Sequence, residues 1–191
     1  MASRLILAVA SSRTPAADLR REGVDGLLLR PVPVAGNLGL VASASAVSRA
    51  AAGIAVQLTV EHRGQDLALS GNEVDVGYLG LDALGKASAR GAKHVVFKVA
   101  EENWKAIGLQ GWRYVTTVEL APGYHQLRVA ATEAGGGRSG SVFLELEVPD
   151  LSKGPLAMGT ILIGTASGAL TPTTGDVAVL DCEGYLVGVG C

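Results

Sequence analysis

Alternation of apolar and polar residues organises the chain. Ile54, Val56, Leu58 and Val60 fall on one side of a two-residue repeat, with Ala55, Gln57, Thr59 and Glu61 on the other. That period predicts a half-buried antiparallel strand from Gly53 to Glu61. The densest pattern runs from Gly111 to Asp150. Trp112, Tyr114, Thr116, Val118 and Leu120 share one face of its first run. His125, Leu127, Val129 and Ala131 share a face of the second, with Tyr124, Gln126, Arg128 and Ala130 opposite. Val142, Leu144, Leu146 and Val148 share a face of the third. Two turn signals, Pro122-Gly123 and Gly135-Gly136-Gly137, separate the runs. The reading is a β-meander of three successive strands. Its predicted core is Trp112, Tyr114, Val118, Leu127, Val129, Val142, Leu144 and Leu146.

The flanking segments are less regular. Thr14-Pro15 with Asp18 predicts a helix start, with the helix ending near Arg21 because Gly23 and Gly26 weaken its continuation. Leu27 to Val34 carries Pro31 and Pro33, which confines it to an edge or entry segment. Further strands are expected over Leu38–Val47, Asn72–Asp82, Lys93–Val99 and Met158–Thr165. Leu79 and Leu81 suggest that the Asn72–Asp82 strand is covered on both faces. Glu101 to Ile107 has helical spacing and ends at Gly108, with Trp104 as the anchor into the core. Short strands between frequent turns predict an all-β fold. The expectation is an immunoglobulin-like two-sheet antiparallel β-sandwich with one or two short helices; a small barrel is the alternative. The domains follow: a leader or short helix over 1–26, the sandwich over 27–166, and a poorly ordered C-terminal tail over 167–191.

Composition narrows the function classes. Hydrophobic residues make up 48% of the chain and aromatics only 4%, so the core must be aliphatic. A net charge of -2, with no basic stripe, gives no electrostatic footprint for nucleic acid. No run approaches the roughly 18 apolar residues of a membrane span. The apolar stretch Leu5–Ala10 is shorter than the roughly 7–15 residues of a signal-peptide core. Cys182 and Cys191 both lie in the expected tail, so a bridge between them would staple nothing in the core.

Constellations for chemistry are sparse. His62, His94 and His125 are scattered, with no zinc-ligand spacing. No G-x-S-x-G elbow is present. Gly135-Gly136-Gly137-Arg138-Ser139 joins two strands and opens no helix, so it is not a phosphate loop. Asp66, Asn72, Glu73 and Asp75 match no calcium loop. No cofactor or metal is expected. The one ligand-binding alternative is a sugar surface built from Trp104, Trp112 and Tyr114. His125 reads as a buried, hydrogen-bonded histidine.

Three blocks carry a family likeness: Gly26 to Val34 (GLLLRPVPV), Trp112 through Leu120-Ala-Pro-Gly-Tyr-His-Gln-Leu-Arg-Val-Ala-Ala131, and Gly140 to Leu156 (GSVFLELEVPDLSKGPL). They resemble the region downstream of the von Willebrand factor A domain in acidobacterial VWFA-related proteins, over roughly Ala16 to Ser167. In that family the turn usually reads Pro-Gly-Arg-Tyr-Gln-Leu-Arg-Val. Here His125 occupies the tyrosine position and Tyr124 falls on the opposite face. The likeness implies a corner role in a sandwich, which His125 could fill by donating to backbone. The family's A domain and its metal site have no counterpart in this chain. Asp150-Leu-Ser-Lys-Gly154 departs from D-x-S-x-S at its last position.

The resulting expectation is a non-catalytic structural or protein-interaction module. Its partner would be another protein or another domain of a longer parent chain. The resemblance implies a secreted or periplasmic setting. The alternative is a carbohydrate-binding sandwich.

Overall fold

The computed structural model describes residues 6–7, 16–62, 73–96, 111–133, 138–151, 173–175, 181–182 and 185–186. Seven long strands carry the fold: β2 (Leu40–Arg49), β3 (Ile54–His62), β4 (Glu73–Asp82), β5 (Ala87–Val96), β6 (Trp112–Leu120), β7 (Gly123–Glu133) and β8 (Ser139–Val148). Four short pieces join them: β1 (Ile6–Leu7), β9 (Thr173–Gly175), β10 (Asp181–Cys182) and β11 (Tyr185–Leu186). One sheet has the order β1-β8-β7-β4-β5 and the other β2-β3-β6-β9; β10 and β11 pair with each other. All long strands pair antiparallel, and β9 lies parallel to β6. This is the expected two-sheet sandwich, not a closed barrel. Placing β2, β3 and β6 in one sheet and β5, β4, β7 and β8 in the other follows immunoglobulin-like connectivity.

The alternating positions meet between the sheets. Ile54, Val56, Leu58 and Val60 of one sheet face Leu127, Val129, Leu144 and Val76 of the other, all buried. The eight predicted core residues are all buried.

The meander is corrected. β6 and β7 do not pair; they lie in different sheets, and of the three runs only β7 and β8 form a hairpin. Periodicity reports which face of a strand is buried, and both sheets bury the same inner face. A strand that turns back in its own sheet and one that crosses to the facing sheet therefore leave the same pattern. Pro122-Gly123 is an inter-sheet corner, with Gly123 at φ 125.

The helical span α1 (Ala16–Leu29) is two helical segments joined at Gly23, whose backbone (φ 62, ψ -174) is non-helical. The first segment ends there, close to the expected Arg21, and a second runs on to Leu29, into the stretch expected to be extended. Beyond the bend, Val24, Leu27 and Leu28 bury against Leu79, Ala130 and Val34 on the outer face of the five-stranded sheet. Gly77 makes room, since a β-carbon there would collide with Val24. Arg128 donates to the carbonyls of Leu28 (3.2 Å) and Arg30 (2.9 Å), capping the end of α1. Its guanidinium lies 4.8 Å from the centre of the Phe143 ring.

The expected helix over Glu101–Ile107, its anchor Trp104, the strand over Met158–Thr165 and the glycine triplet lie outside the described residues. Among the described residues, no helix is long and apolar enough to cross a membrane.

Candidate functional site

The rims of the five-stranded sheet are treated differently. Along β8 the proline-bearing entry segment is stitched down. Val34 N donates to Ser141 Oγ (2.8 Å), Ser141 N to the Val34 carbonyl (3.1 Å) and Leu38 N to the Ser139 carbonyl (3.3 Å). Ser139 N donates to Asn37 Oδ1 (3.2 Å), and Ile6–Leu7 adds a short strand further along. Gly36 is required here, because a β-carbon would strike the Ser139 carbonyl oxygen. β2, the end strand of the other sheet, is mostly buried or half-buried and lies against β8.

The opposite rim is β5. Among the described residues it is the end strand, and most of its side chains are exposed. Its first half, Ala87 to Ala92, reads in sequence as loop. Small and polar residues exposed on both faces leave no alternation to detect. Asp82 starts the strand: its carboxylate accepts from Leu84 N and Lys86 N, both at 2.9 Å, with Gly85 at φ 76. Arg90 pairs with Asp25 of α1 at 2.8 Å. His94 contacts Asp75 through Nδ1 (2.8 Å) and Glu73 through Nε2 (3.7 Å). The two carboxylates lie on opposite ring nitrogens and do not converge. Among the described residues no group of His, Cys, Asp and Glu side chains is arranged to hold a metal. Asp66 and Asn72 lie outside those residues.

A small cleft of about 110 Å³ opens where β4 and β5 face β6, lined by Val76, Tyr78, Gly91, Ala92, Lys93, Tyr114 and Thr116. Tyr78 sits opposite Gly91 across the β4–β5 ladder, and its ring covers the glycine. Burial pushes the Tyr78 phenol above its ordinary range, and the neighbouring Tyr114 adds to the shift.

Two residues of the aromatic alternative lie in the core, as the strand pattern predicts. Trp112 is 1% exposed and Tyr114 is 4% exposed, both within the inter-sheet core. Trp112 packs 5.6 Å from the His62 ring, and His62 Nδ1 bonds the Gly39 carbonyl at 2.9 Å. A sugar platform needs an open ring face, which neither residue presents; Tyr114 reaches only the small cleft. The low aromatic content left the inner faces of β6 as the natural place for them.

At the corner, His125 is 3% exposed at the start of β7. Its Nε2 donates to the Ala121 carbonyl four residues back, at 2.8 Å. That is the bond a corner tyrosine makes in this architecture. Nδ1 meets Ser88 Oγ of β5 at 3.2 Å. A carbonyl only accepts, so the ring proton is on Nε2, and Nδ1 presents a lone pair to the Ser88 hydroxyl. Parity places His125 inward; nothing local to Ser88 in the sequence points to it.

Comparison with protein-family models finds no match to the chain, and comparison with curated proteins finds none either.

Proposed function

We propose that the chain is a structural and protein-interaction module that takes an extended segment onto β5. The observation that supports this is the contrast between the rims. β8 is stitched over by Val34–Leu38, whereas β5 is a ten-residue end strand with mostly exposed side chains. Strand addition draws affinity from main-chain bonds and selectivity from alternate side chains. The resemblance to the accessory region of VWFA-related proteins supports the same reading. It makes the added segment part of another protein, or of another domain of a longer parent chain, outside the cytoplasm.

A displayed library of extended peptides, selected on the whole chain, tests this. Selected peptides should slow amide exchange along β5, and Ala92→Pro should abolish their binding while the melting temperature stays near that of the parent. Peptides that protect another surface, or that bind Ala92→Pro equally well, overturn it.

A further inference from the structure

We propose that Ser88 is an activated nucleophile that accepts an acyl group from an activated ester or thioester, with His125 as its base. Three features aim the pair. The β4–β5 ladder pairs Gly80 with Ala89 and Leu81 with Ala87, so Ser88 is the extra residue of a β-bulge. Bulges re-aim side chains, and here the hydroxyl of an otherwise exposed residue reaches a buried imidazole at 3.2 Å. Gly80 clears the approach, since a β-carbon there would sit 3.1 Å from Ser88 Oγ. The Ala121 carbonyl, 2.8 Å from Nε2, fixes the tautomer whose Nδ1 accepts the serine proton. A nucleophile within hydrogen-bond reach of a base that a third group orients is the recurring arrangement of activated serines. The base is buried and the nucleophile belongs to an exposed residue of the end strand, so an acyl donor would approach from the serine side.

The step balances without an oxidant or metal. Ser88 Oγ bonds to the carbonyl carbon while its proton passes to His125 Nδ1. The bond from that carbon to the leaving oxygen or sulfur breaks, and the leaving group takes the proton as alcohol or thiol. An acyl-serine and a neutral imidazole remain. This site is separate from the main-chain rim of β5, so either reading can fail alone.

The test uses a fluorophosphonate, which phosphonylates activated serines with loss of fluoride, read by intact mass and peptide mapping on the folded chain. One adduct is expected, on Ser88 and absent from Ser88→Ala. His125→Asn should slow labelling about a hundredfold, within the range a positioned base supplies. Should that core substitution unfold the chain, Gly80→Ala decides, with labelling slowed because the new methyl displaces the hydroxyl. An unlabelled folded wild type, an adduct that survives in Ser88→Ala, or rates unchanged in the folded His125→Asn or Gly80→Ala variant overturn the proposal.

Discussion

The phenol end of Tyr78 packs over Gly91, so that a β-carbon added to the glycine would come within 2.6 Å of the ring. Gly91→Ala brings two opposed effects. Replacing glycine in a strand restricts the unfolded chain and favours folding by about 0.4–1 kcal/mol. Overpacking against a ring held in the wall of the cleft costs about 1–3 kcal/mol. The clash is the larger, so urea unfolding should show a net loss of roughly 1 kcal/mol.

Tyr78 also sets an alkaline limit. Burial, with Tyr114 beside it, raises its folded value above the ordinary 10.0. The unfolded chain therefore releases this proton first as pH climbs through about 10. Stability should fall over that window, because the folded state binds the extra proton. Tyr78→Phe should flatten this slope in melts recorded from pH 9 to 11 and remove one late-titrating phenol from the absorbance titration.

The corner should be costly to break. His125→Ala removes both ring bonds and leaves a cavity. A loss of about 2–4 kcal/mol is expected, a large part of the roughly 5–15 kcal/mol that holds a domain. Its neighbour Tyr124, 44% exposed, should cost under about 0.5 kcal/mol as alanine. Denaturant midpoints of the two variants make the comparison.

This pair of neighbours shows how much was legible. Parity in β7 separated His125 from Tyr124, and it separated the core from the surface in β3, β6 and β8. It was silent on which sheet each strand joins, so the crossing at Pro122-Gly123 looked like a hairpin turn. It was silent on β5, where Ala87 to Ala92 bury too little to leave a pattern. The Ser88 contact depends on a bulge and on a glycine in another strand, and neither spacing nor composition encodes it. Parity also placed Trp112 and Tyr114 in the core, and the packing of β6 bears that out over the ligand-surface alternative that residue type suggested.

Arg128 should prove more than a surface charge. Its guanidinium bonds the Leu28 and Arg30 carbonyls and stacks on Phe143. Arg128→Ala should cost about 1.5–3 kcal/mol and raise amide exchange in the last turn of α1. Arg128→Lys should recover only part of that, because a point charge cannot span two carbonyls and a ring together.

Gly36→Ala should lower stability by about 1–3 kcal/mol, because the atom it meets is backbone and cannot rotate aside. Faster exchange at Leu38 and Ser141 would locate the damage.

The stitched rim beside β8 has a consequence for self-assembly. Open-ended growth by sheet extension needs two docking rims per molecule, one to receive and one to offer. Among the described residues, the five-stranded sheet leaves only β5 in that state. Two copies joined through β5 would each spend that rim of the five-stranded sheet. Val34 to Leu38, by bonding Ser139 and Ser141, blocks extension at the start of β8 and so favours a two-fold pair through β5 over growth of this sheet from both sides.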